Sequence, residues 1–480
     1  MSIRKILTAA FFALLQTGGV LAQQNVHPSS VKYEYPAEPE VREKLEKWRD
    51  QKFGIILHWG LYAVPGIIES WSICNENWIE RDSTIAYEDY KKWYWGHASQ
   101  FNPVNFDPEK WADVAKKAGM KYLVFTTKHH DGFNMFDTKE SDFKISNGPF
   151  KANPKADVLK YVFESFRNKD FMIGAYFSKP DWHSENYWWP KYATADRNNN
   201  YDIRKYPWRW DKYRQFTFNQ ISELMHNYGK VDILWLDGGW VRPRETVNEE
   251  VLSWGAPIPE WSQDIDMPKI AQMARQAQPG LLMVDRTVHG PYENYQTPEQ
   301  RVPETQLSYP WESCMTLGGA WGYVPGDQFK SAAKVIHTLV EVVAKGGSLL
   351  LGIGPKADGT FPEEANARLL QIGSWMDKNG AALYNTRITK NYHDGNTWFT
   401  QDKTGATKYA IVCLPEGEPV AKEITWKGNA PKKGTKMKLL QTGETVKWKA
   451  DAAGVRLSVP ASVGKFQTPA LAFSFIAEPE

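Results

Sequence analysis

Short apolar runs alternate with amphipathic helical patterns along most of this chain, and this alternation limits the folds it can adopt. Strand-like runs occupy residues 53–57, 120–125, 171–176, 231–237, 281–284 and 348–354. Helical patterns occupy residues 41–49, 108–119, 158–167, 211–228, 267–278, 332–344 and 362–378. The alternation predicts a parallel sheet with helices packed outside it. An open doubly wound sheet and a closed (β/α)8 barrel both satisfy it.

The residues at the strand ends distinguish these two folds. The apolar run from residue 231 ends on Asp237, and Gly238 and Gly239 follow it. A carboxylate on a buried strand is costly unless something binds or uses it. Other strands also carry polar side chains at or just past their ends, namely His58, His129, His130, Tyr176 and Arg286. A barrel gathers such ends around one mouth, and no glycine-rich phosphate loop follows the first strand. We therefore predict a (β/α)8-like (TIM-type) barrel.

The pattern changes after residue 383. Short alternating runs at 397–400, 409–413, 436–440, 455–459 and 470–475 are separated by Gly, Pro, Asn and Asp. This spacing is typical of a small antiparallel β-sandwich. The predicted organisation is a signal peptide at 1–22, a catalytic barrel at 31–383 and a C-terminal β-sandwich at 384–480.

The first residues have the pattern of a secretory signal. Arg4 and Lys5 precede a short apolar run, and small residues before position 23 suit cleavage. That run is too short to span a bilayer comfortably, and no later segment is a transmembrane candidate. We expect an exported protein that is periplasmic or secreted.

Charge and cysteine content exclude several classes of protein. The chain has 58 basic and 56 acidic residues, and loss of Arg4 and Lys5 with the signal would balance them. A balanced charge gives no general attraction to nucleic acid or anionic membranes. Cys74, Cys314 and Cys413 lack metal-type spacing and are too few for a disulfide framework, although one bridge plus one free thiol is an alternative.

The strand-end residues suit the chemistry of a sugar. The chain contains 22 Trp, 22 Tyr and 22 Phe, and flat aromatic rings often stack on sugars. Asp237 on a rigid strand end suits a covalent nucleophile, and a retaining glycosidase needs a second carboxyl group roughly 5 Å away. The loop after Arg286 offers three candidates, Glu293, Glu299 and Glu304. Hydrogen bonds and flat apolar faces would come from the three histidines and from Glu69, Trp59, Trp71, Trp235 and Trp321.

Several long motifs resemble glycoside hydrolase family 29, the α-L-fucosidases. They are FGIILHWG at 53–60, FDPEKWA at 106–112, KYLVFTTKHHDGF at 121–133, DILWLDG at 232–238, YQTPE at 295–299 and LLGIGP at 350–355. The resemblance runs from about residue 53 to 386. It implies a barrel followed by a β-sandwich, and release of L-fucose with retention of configuration.

The resemblance also implies roles for individual residues. Asp237 is similar to the family nucleophile, preceded by Leu236 where the family usually has Phe. Glu299 is the closest match to the acid/base, with Glu293 as the alternative and Glu304 behind both. Glu69 and Trp71 resemble the family's Glu-Trp pair, but Ser70 separates them here. The substrate pocket would comprise His58, Glu69, Trp71, His129, His130, Tyr176, Trp235, Arg286 and Trp321, with Trp321 packing on the C6 methyl group.

Three alternatives remain open from the sequence. His129, His130 and Asp131 could ligate a metal ion, but adjacent strand residues point to opposite faces and no established zinc spacing accompanies them. We therefore predict no metal and no cofactor. The substrate could instead be a related sugar such as α-L-galactose, or the chain could bind fucose without hydrolysing it. The expected partner is a fucosylated oligosaccharide or glycoconjugate, and the sequence leaves the oligomeric state undetermined.

Overall fold

A seven-stranded parallel sheet forms the centre of the protein. The computed structural model describes residues 33–465 and 467–478. Within them the strand order in this sheet is β5-β4-β3-β2-β1-β7-β6. The strands are β1 (Phe53–Leu57), β2 (Tyr122–Lys128), β3 (Met172–Ser178), β4 (Ile233–Asp237), β5 (Leu282–Asp285), β6 (Glu312–Thr316) and β7 (Ser348–Ile353). Every pairing between them is parallel, so their carboxyl ends lie at one face.

Helices connect most of these strands. They are α1 (Pro39–Gln51), α2 (Tyr87–Gly96), α3 (Pro108–Lys117), α4 (Val158–Arg167), α5 (Pro207–Asn227), α6 (Glu249–Ser253), α7 (Met267–Ala277), α8 (Ala332–Ala344) and α9 (Glu363–Asn379). Between β5 and β6, where the structure describes every residue, no helix occurs. The predicted TIM-like parallel sheet is confirmed, but this connection departs from a regular (β/α)8 repeat.

An irregular segment joins the two edge strands. Residues 292–300, which we call the closing segment, hydrogen-bond to β5 through Asn294 N to Met283 O at 2.8 Å. They bond to β6 through Glu312 N to Gln296 O at 2.8 Å and through Gln300 N to Cys314 O at 2.9 Å. The closing segment therefore occupies the position of an eighth strand.

The interior and exterior of the sheet are both apolar, which explains the continuous hydrophobic runs in the sequence. The interior cluster includes Tyr122, Tyr176, Trp235 and Leu350, and Trp48 of α1 packs with them. Trp48 stacks on Tyr295 of the closing segment with ring centroids 3.9 Å apart. Helix α1 thus contributes to the same small core as the strands.

The strand β6 and the helices α2 and α6 were not predicted. Strand β6 has the sequence Glu-Ser-Cys-Met-Thr, which lacks an apolar run, and its pairing with β7 and the closing segment determines its conformation. Helix α2 lies between β1 and the helix predicted from residue 108, where the sequence pattern predicted no element. Most other helices agree with prediction to within a few residues.

The C-terminal region consists of antiparallel strands, as predicted. One sheet has the order β14-β13-β17-β11-β10-β8, with β9 paired to β10, and a second has the order β12-β16-β15. These strands are β8 (Thr386–Arg387), β9 (His393–Asp394), β10 (Thr397–Asp402), β11 (Thr407–Cys413), β12 (Glu423–Trp426), β13 (Met437–Leu439), β14 (Thr445–Val446), β15 (Trp448–Asp451), β16 (Gly454–Ser458) and β17 (Ala470–Ile476). Buried residues of both sheets form one apolar cluster.

This region packs on α8 and α9. The indole nitrogen of Trp375 in α9 donates to Ala470 O of β17 at 2.9 Å, and Ala470 shares a hydrophobic cluster with the barrel helices. The domain boundaries at 31–383 and 384–480 stay predictions, and the predicted signal at 1–22 lies outside the described residues.

Two smaller predictions concern cysteines and membranes. Cys74, Cys314 and Cys413 are all buried free thiols, so the alternative of one disulfide plus one free thiol is wrong. Among the described residues, no helix combines the length and the hydrophobicity that a membrane crossing requires.

Candidate active site

Asp237 ends β4 at the carboxyl edge of the sheet. Its Oδ1 accepts from Arg286 Nη1 at 2.9 Å, and its Oδ2 accepts from the Tyr176 hydroxyl at 2.7 Å. The side chain keeps 15% of its surface exposed, so a substrate can reach it. The backbone turns immediately at Gly238, where φ is +88° and a Cβ would lie 2.3 Å from the Pro180 ring. Glycine is therefore required for the chain to leave the strand here.

Arg286 joins the two candidate catalytic carboxylates. One terminal nitrogen, Nη1, contacts Asp237, and the other, Nη2, contacts Glu299 Oε2 at 2.9 Å. Its Nε donates to Thr297 Oγ1 at 3.0 Å, and its guanidinium lies 4.4 Å from the centre of the Trp235 ring. Charge-assisted bonds to a planar guanidinium fix direction as well as distance. One side chain thus holds both carboxylates at the mouth of the barrel.

The structure separates the three loop glutamates. Glu299 lies in the closing segment and contacts both Arg286 and the indole nitrogen of Trp321, the latter at 3.1 Å. Glu293 is buried and accepts from Thr287 N at 3.0 Å, with its other oxygen 2.6 Å from His289 Nδ1. Glu304 is exposed. Of the three, Glu299 is the one that shares a guanidinium with Asp237.

Three histidines line the same mouth. His58 follows β1, and its ring lies 5.7 Å from His129 and 5.5 Å from Tyr176. His129 Nδ1 lies 2.5 Å from Ser70 Oγ, and His130 Nδ1 contacts Ser178 Oγ. His130 Nε2 is 3.9 Å from Asp237 Oδ2.

Burial keeps these histidines neutral at physiological pH. It lowers the pKa of His129 to about 4, and it lowers the pKa of His58 and His130 well below the ordinary value. A neutral imidazole offers one donor and one acceptor. The three rings therefore suit hydroxyl groups better than anions.

Aromatic rings form one side of the site. Tyr176 stacks on Trp235 with centroids 5.3 Å apart, and Trp321 lies 4.9 Å from His58. Trp71 is half-buried, and its ring lies 5.2 Å from His130. Trp59 does not belong to this group, because it is 1% exposed and packs among Phe101, Phe106 and Trp111 in the core. The expectation that Trp59 offers a face to a sugar is wrong.

Glu69 is fully buried near this aromatic side. Burial raises its pKa to about 7, backbone N–H groups of Gly322 and Trp321 oppose that rise, and the charge of Glu299 adds to it. Ser70, rather than Glu69, contacts His129. Ser70 thus lies against the histidine, and the Glu69 carboxyl group lies near the backbone of Trp321 and Gly322.

The comparisons with known proteins agree with this geometry. The profile of the alpha-L-fucosidase family matches residues 20–381. The chain belongs to this family of glycoside hydrolases. It is 28% identical to a tissue alpha-L-fucosidase of Mus musculus over 444 residues, which cover 87% of this chain and 88% of the relative.

Solved structures of alpha-L-fucosidases share its fold. Isoenzyme 1 from Paenibacillus thiaminolyticus has a TM-score of 0.72 and 28% identity, covering 92% of this chain and 100% of that one. The Thermotoga maritima alpha-fucosidase in complex with fucose has a TM-score of 0.70 and 26% identity, with the same coverage. The likeness therefore includes most of the C-terminal region, which lies beyond the family match.

The metal alternative is disfavoured by the contacts of this fucosidase site. Asp131 accepts from the Tyr94 hydroxyl at 2.6 Å and from Phe133 N at 3.0 Å, so it is not placed with the histidines. Ligand atoms of His129, His130 and Asp237 do lie within 4.8 Å of one another. However, Arg286 already supplies a positive charge to Asp237. A metal ion there would be repelled by the guanidinium.

Several supporting residues were not predicted to have a role in the site. Ser70 and Ser178 hold the histidines, and Thr297 holds Arg286. Glu312, buried inside the barrel, accepts from Trp235 Nε1 at 3.2 Å and from Tyr122 at 2.7 Å. Its position at the start of the unpredicted strand β6 explains why sequence reasoning missed it.

Proposed function

We propose that this chain is a retaining, exo-acting α-L-fucosidase that removes terminal fucosyl residues from oligosaccharides or glycoconjugates. Asp237 is the nucleophile and Glu299 the acid/base. The observation that carries the proposal is the single guanidinium of Arg286 shared by Asp237 and Glu299. Two carboxylates on one guanidinium are compatible with the short separation of a retaining pair.

The reaction would proceed in two displacements. An Asp237 oxygen attacks C1 of fucose while protonated Glu299 gives its proton to the departing glycosidic oxygen, and a fucosyl ester forms. Glu299, now a carboxylate, then takes a proton from water, whose oxygen attacks C1 and expels Asp237. Two inversions give net retention.

The remaining residues would bind the sugar. His58, His129 and His130 offer neutral donors and acceptors to the hydroxyl groups, and Glu69 and Trp71 would complete the pocket beside Trp321 and His130. Trp321 would cover the C6 methyl group. Because an added hydroxyl would be poorly paired against an indole face, fucose is preferred over α-L-galactose, although apolar pockets reject an extra hydroxyl only weakly.

The test compares hydrolysis of an aryl α-L-fucoside by wild type, Asp237→Ala, Glu299→Ala and Glu293→Ala, with and without azide. Azide should rescue Glu299→Ala and give the α-configured fucosyl azide, whereas rescue of Asp237→Ala should give the β-configured product. Rescue of Glu293→Ala instead would reassign the acid/base. If wild type binds fucose but leaves the fucoside intact, the protein is a binding protein.

Two further proposals concern the rest of the chain. We propose that the two C-terminal sheets form a β-sandwich without catalytic residues, which is supported by their common apolar cluster. We also propose export of the protein after cleavage near residue 22, which is supported by the pattern of the first residues. N-terminal sequencing of the protein secreted by its natural host tests the second.

A further inference from the structure

A histidine between two carboxylates lies beside the site and takes no part in the proposed mechanism. His289 Nδ1 is 2.6 Å from Glu293 Oε2, and its Nε2 is 3.0 Å from Glu250 Oε1 at the start of α6. The side chain of His289 is 13% exposed, that of Glu293 3% and that of Glu250 23%. We call these three residues the His289 triad.

The two hydrogen bonds of the His289 triad each need a proton between the imidazole nitrogen and the carboxylate oxygen. Ionised carboxylates only accept hydrogen bonds, so a neutral imidazole can serve only one of them. The two carboxylates raise the pKa of His289 to about 9, and burial raises the pKa of Glu293. Both shifts keep a proton between His289 Nδ1 and Glu293 Oε2. Because the two groups are coupled, this proton is shared by the pair and is not assigned to either residue.

The triad is connected to Arg286 through one residue. Glu293 Oε1 accepts from Thr287 N at 3.0 Å, and Thr287 has φ +64°, a conformation that β-branched residues rarely adopt. Arg242 Nη2 donates to Thr287 O at 2.5 Å, and Arg242 Nε donates to Gly239 O at 2.6 Å. The loops that follow Asp237 and Arg286 are therefore tied together at Thr287.

We propose that His289 is a positioning residue: with Glu250 and Glu293 it holds Thr287 in its unfavourable conformation and so aims Arg286 at Asp237 and Glu299. The proposal rests on the proposed function. An imidazolium with protons on both ring nitrogens keeps both bonds, whereas loss of one proton leaves a nitrogen lone pair against a carboxylate and breaks that bond. Thr287 can then relax and take the Arg286 backbone with it.

Other charged or titratable groups face the triad and define its electrostatics. Arg242 is near Glu250, Glu293 and Asp285. Arg301 is near Glu250, and the Tyr33 hydroxyl is near Glu293. Burial lowers the pKa of Arg242 to about 10, at the upper end of the pH range measured, and also lowers the pKa of Arg301, whereas it raises the pKa of Tyr33 above that range. A change near pH 9 is therefore assigned to His289 where a substitution in the His289 triad moves or removes it.

The sign of the effect follows from the raised pKa of His289. The contribution of His289 to the stability of the folded loop is complete below the pKa of the unfolded state, near ~6.5. It is lost as the pH rises through the folded-state pKa of about 9. Activity that depends on Arg286 should fall over the same interval.

The experiment measures kcat/KM for α-L-fucosyl fluoride from pH 6 to pH 10, with the fold checked by circular dichroism at each pH. Fluoride departs without a proton from the enzyme, so deprotonation of the acid/base does not lower this rate. The variants are Glu250→Gln and His289→Gln. His337→Gln is the matched control, because its Nε2 contacts Pro469 O, at 2.8 Å, and not a carboxylate.

Wild type and His337→Gln should lose activity with a midpoint near 9. Glu250→Gln, which removes one carboxylate, should move that midpoint down by about one unit or more. His289→Gln should not show this alkaline loss of activity, and its kcat/KM at pH 7 should be about tenfold below that of the wild type. If His289→Gln fails to fold, the midpoint of Glu250→Gln decides the question. A midpoint that neither variant moves, or a wild type whose activity does not fall at alkaline pH, overturns the inference about His289 but not the proposed function. A wild type inactive at every pH overturns the proposed function and the inference with it.

Discussion

At the scale of single residues, Arg286 is the side chain on which the site most depends. It contacts Asp237, Glu299 and Thr297 through three different nitrogens. Arginine suits this role because its planar fork presents several donors in fixed directions, which a lysine ammonium cannot reproduce.

We expect Arg286→Lys to lower kcat/KM by about 10²–10³-fold, because one ammonium group cannot hold two carboxylates at once. Steady-state kinetics on an aryl fucoside measure the effect. Arg456→Lys is the control, since Arg456 pairs with Glu423 on the exposed surface of the C-terminal region. Near-wild-type activity of Arg286→Lys would mean that the bridge is dispensable.

The buried carboxyl of Glu69 gives a prediction about stability. Its folded pKa is about 7 and its unfolded value is near ~4.5, so the folded state disfavours ionisation. The free energy of unfolding should therefore fall as pH rises from about 4.5 through 7, by up to about 3 kcal/mol from this group. Urea unfolding at pH 5 and pH 8 measures this change.

Glu69→Gln should reduce that loss of stability, because the amide cannot ionise. Glu312, whose pKa burial also raises to about 7, should maintain part of the loss in the variant. Exposed Glu304→Gln is the control and should behave as wild type. An unchanged pH dependence in Glu69→Gln would contradict the assigned pKa.

At the scale of elements, the closing segment decides which glutamate reaches the site. Its early residues pair with β5, which turns Glu293 toward Thr287 and His289, and its later residues pair with β6, which brings Glu299 to Arg286. The motif around residues 295–299 favoured Glu299 from the sequence. The partners of Glu293 lie within six residues of it in the chain, but no recognised motif identifies them.

The turn after β4 gives a prediction at this scale. Gly238→Ala should destabilise the protein by about 2 kcal/mol or more, because a positive φ and contact with Pro180 both oppose a Cβ. Gly255→Ala is a matched control, since Gly255 has φ +69° but no heavy atom within 4 Å of its Cβ position. Urea midpoints of the two variants measure the difference. Equal effects would show that contact with Pro180 adds nothing.

At the scale of the whole molecule, the C-terminal sheets and the barrel share a hydrophobic core. Ile411, Cys413, Ala470 and Ala472 cluster with the barrel helices, and Arg387 and Lys403 both pair with Asp50 at the end of α1. The contact combines apolar burial with ion pairs. Such shared burial favours unfolding of the two regions together.

We expect calorimetry of the wild type to show one transition. Trp375→Ala should lower the free energy of unfolding by about 3–5 kcal/mol, because it removes a large buried ring and its bond to Ala470. The exposed Trp208→Ala is the control. Two separate transitions in the wild type would contradict a cooperative molecule.

The sequence by itself determined the parallel α/β sheet, the antiparallel C-terminal region and the strand-end residues of the site, because period, turn residues and strand ends are local properties. Only the tertiary structure decided that Trp59 lies in the core, that Ser70 and Ser178 hold the histidines, and that Arg286 joins Asp237 to Glu299. It also decided that a strand without an apolar run completes the sheet. Those outcomes depend on contacts between residues far apart in the chain, and side-chain burial and partner choice are fixed only when the barrel closes.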